Sequence, residues 1–223
     1  MKIVDTALIR IFNVSKHYGS KPALSQISLE IFKNEFVFFT GPSGAGKSTL
    51  LKLLYLGESF TEGQVLIDGM NLARISKSRA HILRRKLGII FQDYKLIPGK
   101  TVFQNIALVL EARGMGQRLI QKKVQSILRT VGMEDRSRAF PLGLSGGEQQ
   151  KVAFARAVVG EPKIILADEP TGSLDADAAE NIFDLLTTFH KRGATVLFAT
   201  HDTSLIRNTR HRIIHLKQGH LQV

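Results

Sequence analysis

The sequence predicts an α/β fold: a mainly parallel sheet with antiparallel strands at its amino end and a helical subdomain inserted into the core. Three observations carry that expectation. Short apolar, β-favouring runs recur at 36–40, 87–91, 163–167 and 195–199, and each stops on a polar or glycine-rich segment. The first leads straight into Gly41-Pro42-Ser43-Gly44-Ala45-Gly46-Lys47-Ser48-Thr49, with the apolar helical run Leu50-Leu51-Lys52-Leu53-Leu54 behind it. From about residue 93 to residue 160, apolar residues recur at helical spacing. The expected organisation is one domain over 1–223 with a helical subdomain over 93–160.

Composition fits such a domain. With 223 residues the chain can bury a sizeable core, and 43% hydrophobic with 7% aromatic residues is an ordinary globular balance. Cysteine is absent, which excludes disulfides, thiolate catalysis and cysteine metal sites. The first twelve residues carry Asp5 and Arg10 within an apolar stretch and lack a small-residue cleavage site, so no secretory signal is expected. No apolar run has the length of a membrane span, so a membrane location is expected only through a partner. The formal net charge of +12 favours nucleic acid, anionic lipid or an acidic partner surface, with solubility and attraction for a small polyanion as the plainer alternative. Its densest cluster, at 77–86 with Lys77, Arg79, Arg84, Arg85 and Lys86, has the spacing of a solvated helix face.

Taken in order, residues 7–35 alternate apolar and polar positions around the turn-like Tyr18-Gly19-Ser20-Lys21-Pro22, which predicts antiparallel strands. The run at 36–40 is a buried strand and the run after Thr49 a helix. A glycine-bounded strand follows at 62–69, and a short buried strand at 87–91 places Gln92 at its end. The helical segment then shows Val102, Ile106, Val109 and Leu110, and later Ile120, Val124, Ile127, Leu128 and Val131, on common faces. Pro162 restarts the core with a strand ending in Asp168 and Glu169. An amphipathic helix at 178–190 and a strand at 195–200 lead to His201 and Asp202, and the tail at 213–221 is expected to form a hairpin.

Strand, glycine-rich loop and helix together form a phosphate site. The glycines let the main chain wrap an anion, and the helix start adds amides and positive dipole. Lys47 is placed for the β and γ phosphates and Ser48 for Mg²⁺, which implies a nucleoside triphosphate. Ligands in open parallel sheets lie outside the carboxyl ends of the strands, and Gly41, Gln92, Asp168 and His201 all follow such ends. One carboxylate of the Asp168-Glu169 pair suits Mg²⁺, and Glu169 suits the role of general base toward water. Leu144-Ser145-Gly146-Gly147-Glu148 precedes a further helix. Ser145 is a candidate cap there, and taken alone this is only a helix start.

Together these motifs resemble those of the ATP-binding-cassette (ABC) ATPases, over essentially the whole chain and with no departure among the catalytic motifs. The resemblance makes Gly41 to Thr49 the phosphate loop, Gln92 the glutamine loop with a part in Mg²⁺ binding, and Leu144 to Glu148 the signature. It makes Ile164 to Asp168 the magnesium strand, Glu169 the base, Ser173-Leu174-Asp175 the loop coupling two sites, and His201 the switch histidine. Tyr18 stands where the family stacks an aromatic ring on adenine. The resemblance also implies a head-to-tail homodimer on ATP binding, with each ATP between one phosphate loop and the other subunit's Ser145, Gly146 and Gly147. Within the family, Phe91-Gln92-Asp93-Tyr94-Lys95-Leu96 and Ala167-Asp168-Glu169-Pro170-Thr171-Gly172-Ser173 resemble the bacterial cell-division ATPases, with those of lipoprotein release and macrolide-type export next. That implies an integral membrane permease as partner, a place on the cytoplasmic face of the inner membrane, and contact with an anionic membrane surface. Nucleic-acid-associated relatives carry two cassettes or a long coiled coil, so nucleic acid is not expected as a partner.

Overall fold

The computed structural model describes residues 7–202, 206 and 209–222, with the Lys77 side chain outside that description. The first six residues of the amino-terminal stretch read above also lie outside it. Strands β1 (Ile9–Tyr18) and β2 (Lys21–Ile31) pair antiparallel across a turn in which Gly19 has φ 60°. Strand β4 (Glu62–Ile67) flanks β1 on the other side and pairs with the short β5 (Met70–Asn71), giving a four-stranded antiparallel sheet of order β2-β1-β4-β5.

The second sheet is six-stranded, in the order β10-β9-β3-β8-β7-β6. It comprises β3 (Phe36–Thr40), β6 (Leu87–Ile90), β7 (Ile164–Asp168), β8 (Thr195–Ala199), β9 (Arg212–Lys217) and β10 (His220–Gln222). All pairs are parallel except β9 with β10, the expected terminal hairpin. Strands β3, β6, β7 and β8 are covered on both faces, which is why they read as unbroken apolar runs, whereas β9 alternates buried and exposed positions. Phe36 and Phe38 enter one hydrophobic cluster while Val37 and Phe39 enter the other, as the pleat requires. Ile165 and Ala167 against Ile164 and Leu166 divide in the same way.

Helix α1 (Lys47–Leu54) lies between the two sheets, and Leu50, Leu51, Leu53 and Leu54 are all buried there. Each buried leucine contributes about 1.5–3 kcal/mol, so the helix behind the glycine-rich loop is firmly anchored. A short α2 (Ala80–Arg84) precedes β6. Helices α3 (Val102–Glu111), α4 (Gln117–Val131) and α5 (Gly146–Val158) build the helical segment, and α6 (Ala176–Lys191) covers the sheet. Their apolar faces join Phe36, Phe38 and Phe198 in one continuous cluster. Thr101 with Gln104 and Ser145 with Glu148 form capping boxes, while Gly132 at φ 66° ends α4. Asp175 caps α6 through Ala178 N–H, which starts that helix two residues earlier than the apolar spacing suggests. Among the described residues, no helix is long and apolar enough to cross a membrane.

Candidate active site

The carboxyl ends of β3, β6, β7 and β8 open on one edge of the sheet, and a cavity of about 360 Å³ lies there. It is lined by Ala23, residues 43–49, Gln92, Glu169 and His201. Gly46 lines it, and Gly41 lies at the start of the loop that runs along it. At Gly41, φ is 142° and a Cβ would lie 2.0 Å from the Leu216 carbonyl oxygen. At Gly46, φ is 108° and a Cβ would meet the Ala23 carbonyl oxygen at 2.7 Å. Only glycine permits both the turn and this close approach. The first helical hydrogen bond runs from Leu50 N–H to the Gly46 carbonyl, so the amides ahead of it are those a helix leaves without intrahelical partners. The residues that carry them line the cavity at the positive end of α1.

Lys47 is only 6% exposed, and its Nζ donates to the carbonyls of Gly41 at 2.8 Å and Pro42 at 3.2 Å. It also pairs with Glu169 Oε1 at 3.4 Å. The other carboxylate oxygen of Glu169, Oε2, lies 2.8 Å from His201 Nδ1 and accepts from the His201 main-chain N–H at 3.3 Å. Glu169 has φ 47° and donates its own N–H to the Ala199 carbonyl at 2.9 Å, which turns the carboxylate off the end of β7 into the cavity. Beside it, Ser48 Oγ donates to Asp168 Oδ1 at 2.7 Å. Burial pushes the Asp168 carboxyl above its usual value, the neighbouring Glu169 pushes the same way, and the Ser48 hydrogen bond opposes. A hydroxyl and a carboxylate this close form an all-oxygen donor set of the kind a hard divalent cation prefers.

The expected residues fall into an inner set and an outer set. Lys47, Ser48, Gln92, Asp168, Glu169 and His201 converge on the cavity. Tyr18, 45% exposed at the end of β1 with Lys16 Nζ 4.8 Å from its ring centroid, is not among the residues that line it. Ser145, Gly146 and Gly147 are likewise outside that lining, at the start of α5, where Ser145 Oγ accepts from Glu148 N–H at 3.2 Å. Residue-level reading passed over Gln150, whose Nε2 donates to the Pro170 carbonyl at 2.6 Å and so supports the loop after Glu169. A signal existed, since Gln150 shares the i, i+3, i+4, i+7 stripe of α5 with Ala153, Phe154 and Ala157, all buried. A polar residue on such a stripe needs a partner.

The family model for ABC transporters matches residues 24–172, more than half of the chain. The chain belongs to the ABC transporter family. This ABC ATPase is 43% identical over 215 residues to the cell division ATP-binding protein FtsE of Escherichia coli strain K12, covering 96% of this chain and 97% of that one. It is 43% identical over 206 residues to FtsE of Streptococcus pneumoniae serotype 2, covering 92% and 90% of the two chains. Among solved structures, it resembles the dimeric post-hydrolysis state of the ATP-binding cassette MJ0796 bound to ADP and Pi, with a TM-score of 0.89 and 36% identity. That match covers 96% of this chain and 97% of the other. As an ABC ATPase the protein hydrolyses ATP.

Proposed function

We propose that this ATPase is the nucleotide-hydrolysing subunit of a bacterial membrane complex of the cell-division type. It would couple ATP turnover to septal cell-wall hydrolysis through an FtsX-like permease. The observation carrying the reading is similarity to FtsE proteins along nearly the full length of both chains. In this reading the protein sits at the cytoplasmic face of the inner membrane, with the basic segment 77–86 toward the anionic membrane surface.

The geometry of the cavity and the family resemblance support the following roles. Main-chain amides within the cavity-lining run 43–49, between the turn at Gly41-Pro42 and α1, would hold the phosphates, while Lys47 exchanges its carbonyl partners for the β and γ phosphate oxygens. Ser48, Asp168 and Gln92 would hold Mg²⁺, which neutralises charge on those phosphates. Glu169 accepts the proton of the attacking water, and His201, 2.8 Å from Glu169, orients that carboxylate. Tyr18 would stack on the adenine. In a head-to-tail homodimer, Ser145, Gly146 and Gly147 of a second copy would close the open side of the triphosphate. Their position off the cavity of their own chain and the dimeric cassette resembling this one support that arrangement. The helical subdomain at 93–160 then carries the movement to the permease.

Depletion in the bacterium tests the biological output. Filamentous or chained cells, with the ATPase recovered from membranes only when the FtsX-like permease is present, are expected. Normal septa, with lipoproteins held in the inner membrane or drug sensitivity raised, would overturn the division reading in favour of an exporter.

A further inference from the structure

The segment after Gln92 is held by residues to which none of these roles refers. Tyr94 and Lys95 are consecutive non-glycine residues at positive φ, 58° and 49°, a conformation that local sterics disfavour. Arg156 offsets the strain by gripping both carbonyls, with Nη2 donating to Tyr94 and Nη1 to Lys95, each at 2.6 Å. Because Arg156 belongs to α5, the strap is fixed to the helix that starts beside Ser145. The Tyr94 side chain reaches away from this clamp. Its hydroxyl is hydrogen-bonded to Ser173 Oγ at 2.9 Å and abuts Gly146, where a Cβ would lie 3.2 Å from it. Ser173 stands in a chain of turns that begins at Glu169. Gly172 N–H donates to the Glu169 carbonyl at 3.2 Å and Leu174 N–H to the Thr171 carbonyl at 3.1 Å.

We infer that Tyr94 is a positioning residue for hydrolysis. Through Ser173 it ties the wall of the cavity that carries Gln92 to the wall that carries Glu169, and Arg156 holds it in the conformation that lets the tie form. The inference rests on the ATPase chemistry of the site and adds to it a side chain that does not line the cavity. The phosphate loop is braced elsewhere, by the Ala45 carbonyl accepting from Gly219 N–H at 3.0 Å and by the packing of Gly41 on Leu216. Cutting the tie therefore slows turnover and leaves nucleotide affinity in place. A tyrosine serving only as packing would be replaced by phenylalanine without effect.

The test uses the full chain as Tyr94→Phe, Ser173→Ala and the double variant. Steady-state ATP hydrolysis is measured beside the affinity for a fluorescent ADP analogue and the thermal midpoint. Each single change should lower kcat by about 3- to 10-fold, the scale of one hydrogen bond, and the double should fall no further because both remove the same bond. KM and ADP affinity should stay within about twofold, and the midpoint within about 4 °C. Parental kcat in Tyr94→Phe, or losses that multiply in the double, would overturn the tie while the parent's ATP turnover still stands. A parent with no turnover would remove the hydrolysis reading and this inference with it.

Discussion

Lys47 shows how a buried charge is kept at the candidate site. Its ammonium sits among two loop carbonyls and the Glu169 carboxylate, and without such partners a charge this deep would cost several kcal/mol. Lys47→Ala should abolish ATP turnover and weaken nucleotide binding while the circular dichroism spectrum is retained. Phosphate release near the parental rate in that variant would refute the assignment of the loop. Gly41 makes a different kind of demand. Alanine there would need φ 142° and a Cβ 2.0 Å from the Leu216 carbonyl oxygen, so β9 would have to move. Gly41→Ala should lower stability by on the order of 1–3 kcal/mol, measured as a drop in the urea midpoint.

At the scale of elements, the basic segment before β6 contains side chains with different work to do. Arg84 Nε and Nη2 donate to the carbonyls of Tyr55 and Leu56 at 3.0 and 2.8 Å, so this arginine caps the end of α1. Its partners lie 29 and 28 residues upstream, a distance at which residue spacing carries no information. Arg84→Glu should therefore lower the thermal midpoint, whereas Arg79→Glu with Arg85→Glu should leave the midpoint alone and reduce recruitment to anionic vesicles. Equal midpoints for both variants would contradict the cap. The β-strands of the parallel sheet were legible because burial on both faces leaves an unbroken apolar run. The start of α6 was less so, because Asp175 sets it through a hydrogen bond rather than through apolar periodicity. Strand β4 could be read as a strand but not assigned to a sheet, since its partner β1 is distant in sequence and the pairing is decided in three dimensions.

Across the whole molecule, the two sheets are joined by α1 and by a charged link at their rim. Asp68, just beyond β4, accepts from Lys86 Nζ at 2.9 Å and from Lys163 Nζ at 3.2 Å, groups that immediately precede β6 and β7. The hydrogen bond from Lys86, and next to it that from Lys163, hold the Asp68 carboxyl below its usual value against the opposing effect of burial. A carboxyl with a depressed folded pKa stabilises fully above its unfolded value, and the contribution is lost as pH falls through the folded one. The urea midpoint of Asp68→Asn should lie below that of the parent at neutral pH and converge on it at pH below the carboxylate range. A gap that persists at low pH would argue against the link. The site itself was legible residue by residue because its chemistry sits at strand ends. The placement of Ser145 off the cavity of its own chain came from the family resemblance and not from residue spacing, since it depends on how α5 packs. Comparing Glu169→Gln with the parent tests the central claim most directly, with ATP turnover and nucleotide binding followed in the same samples. Turnover should fall by about 10²-fold or more with binding retained; turnover near the parental rate would contradict the assignment of Glu169 as the base.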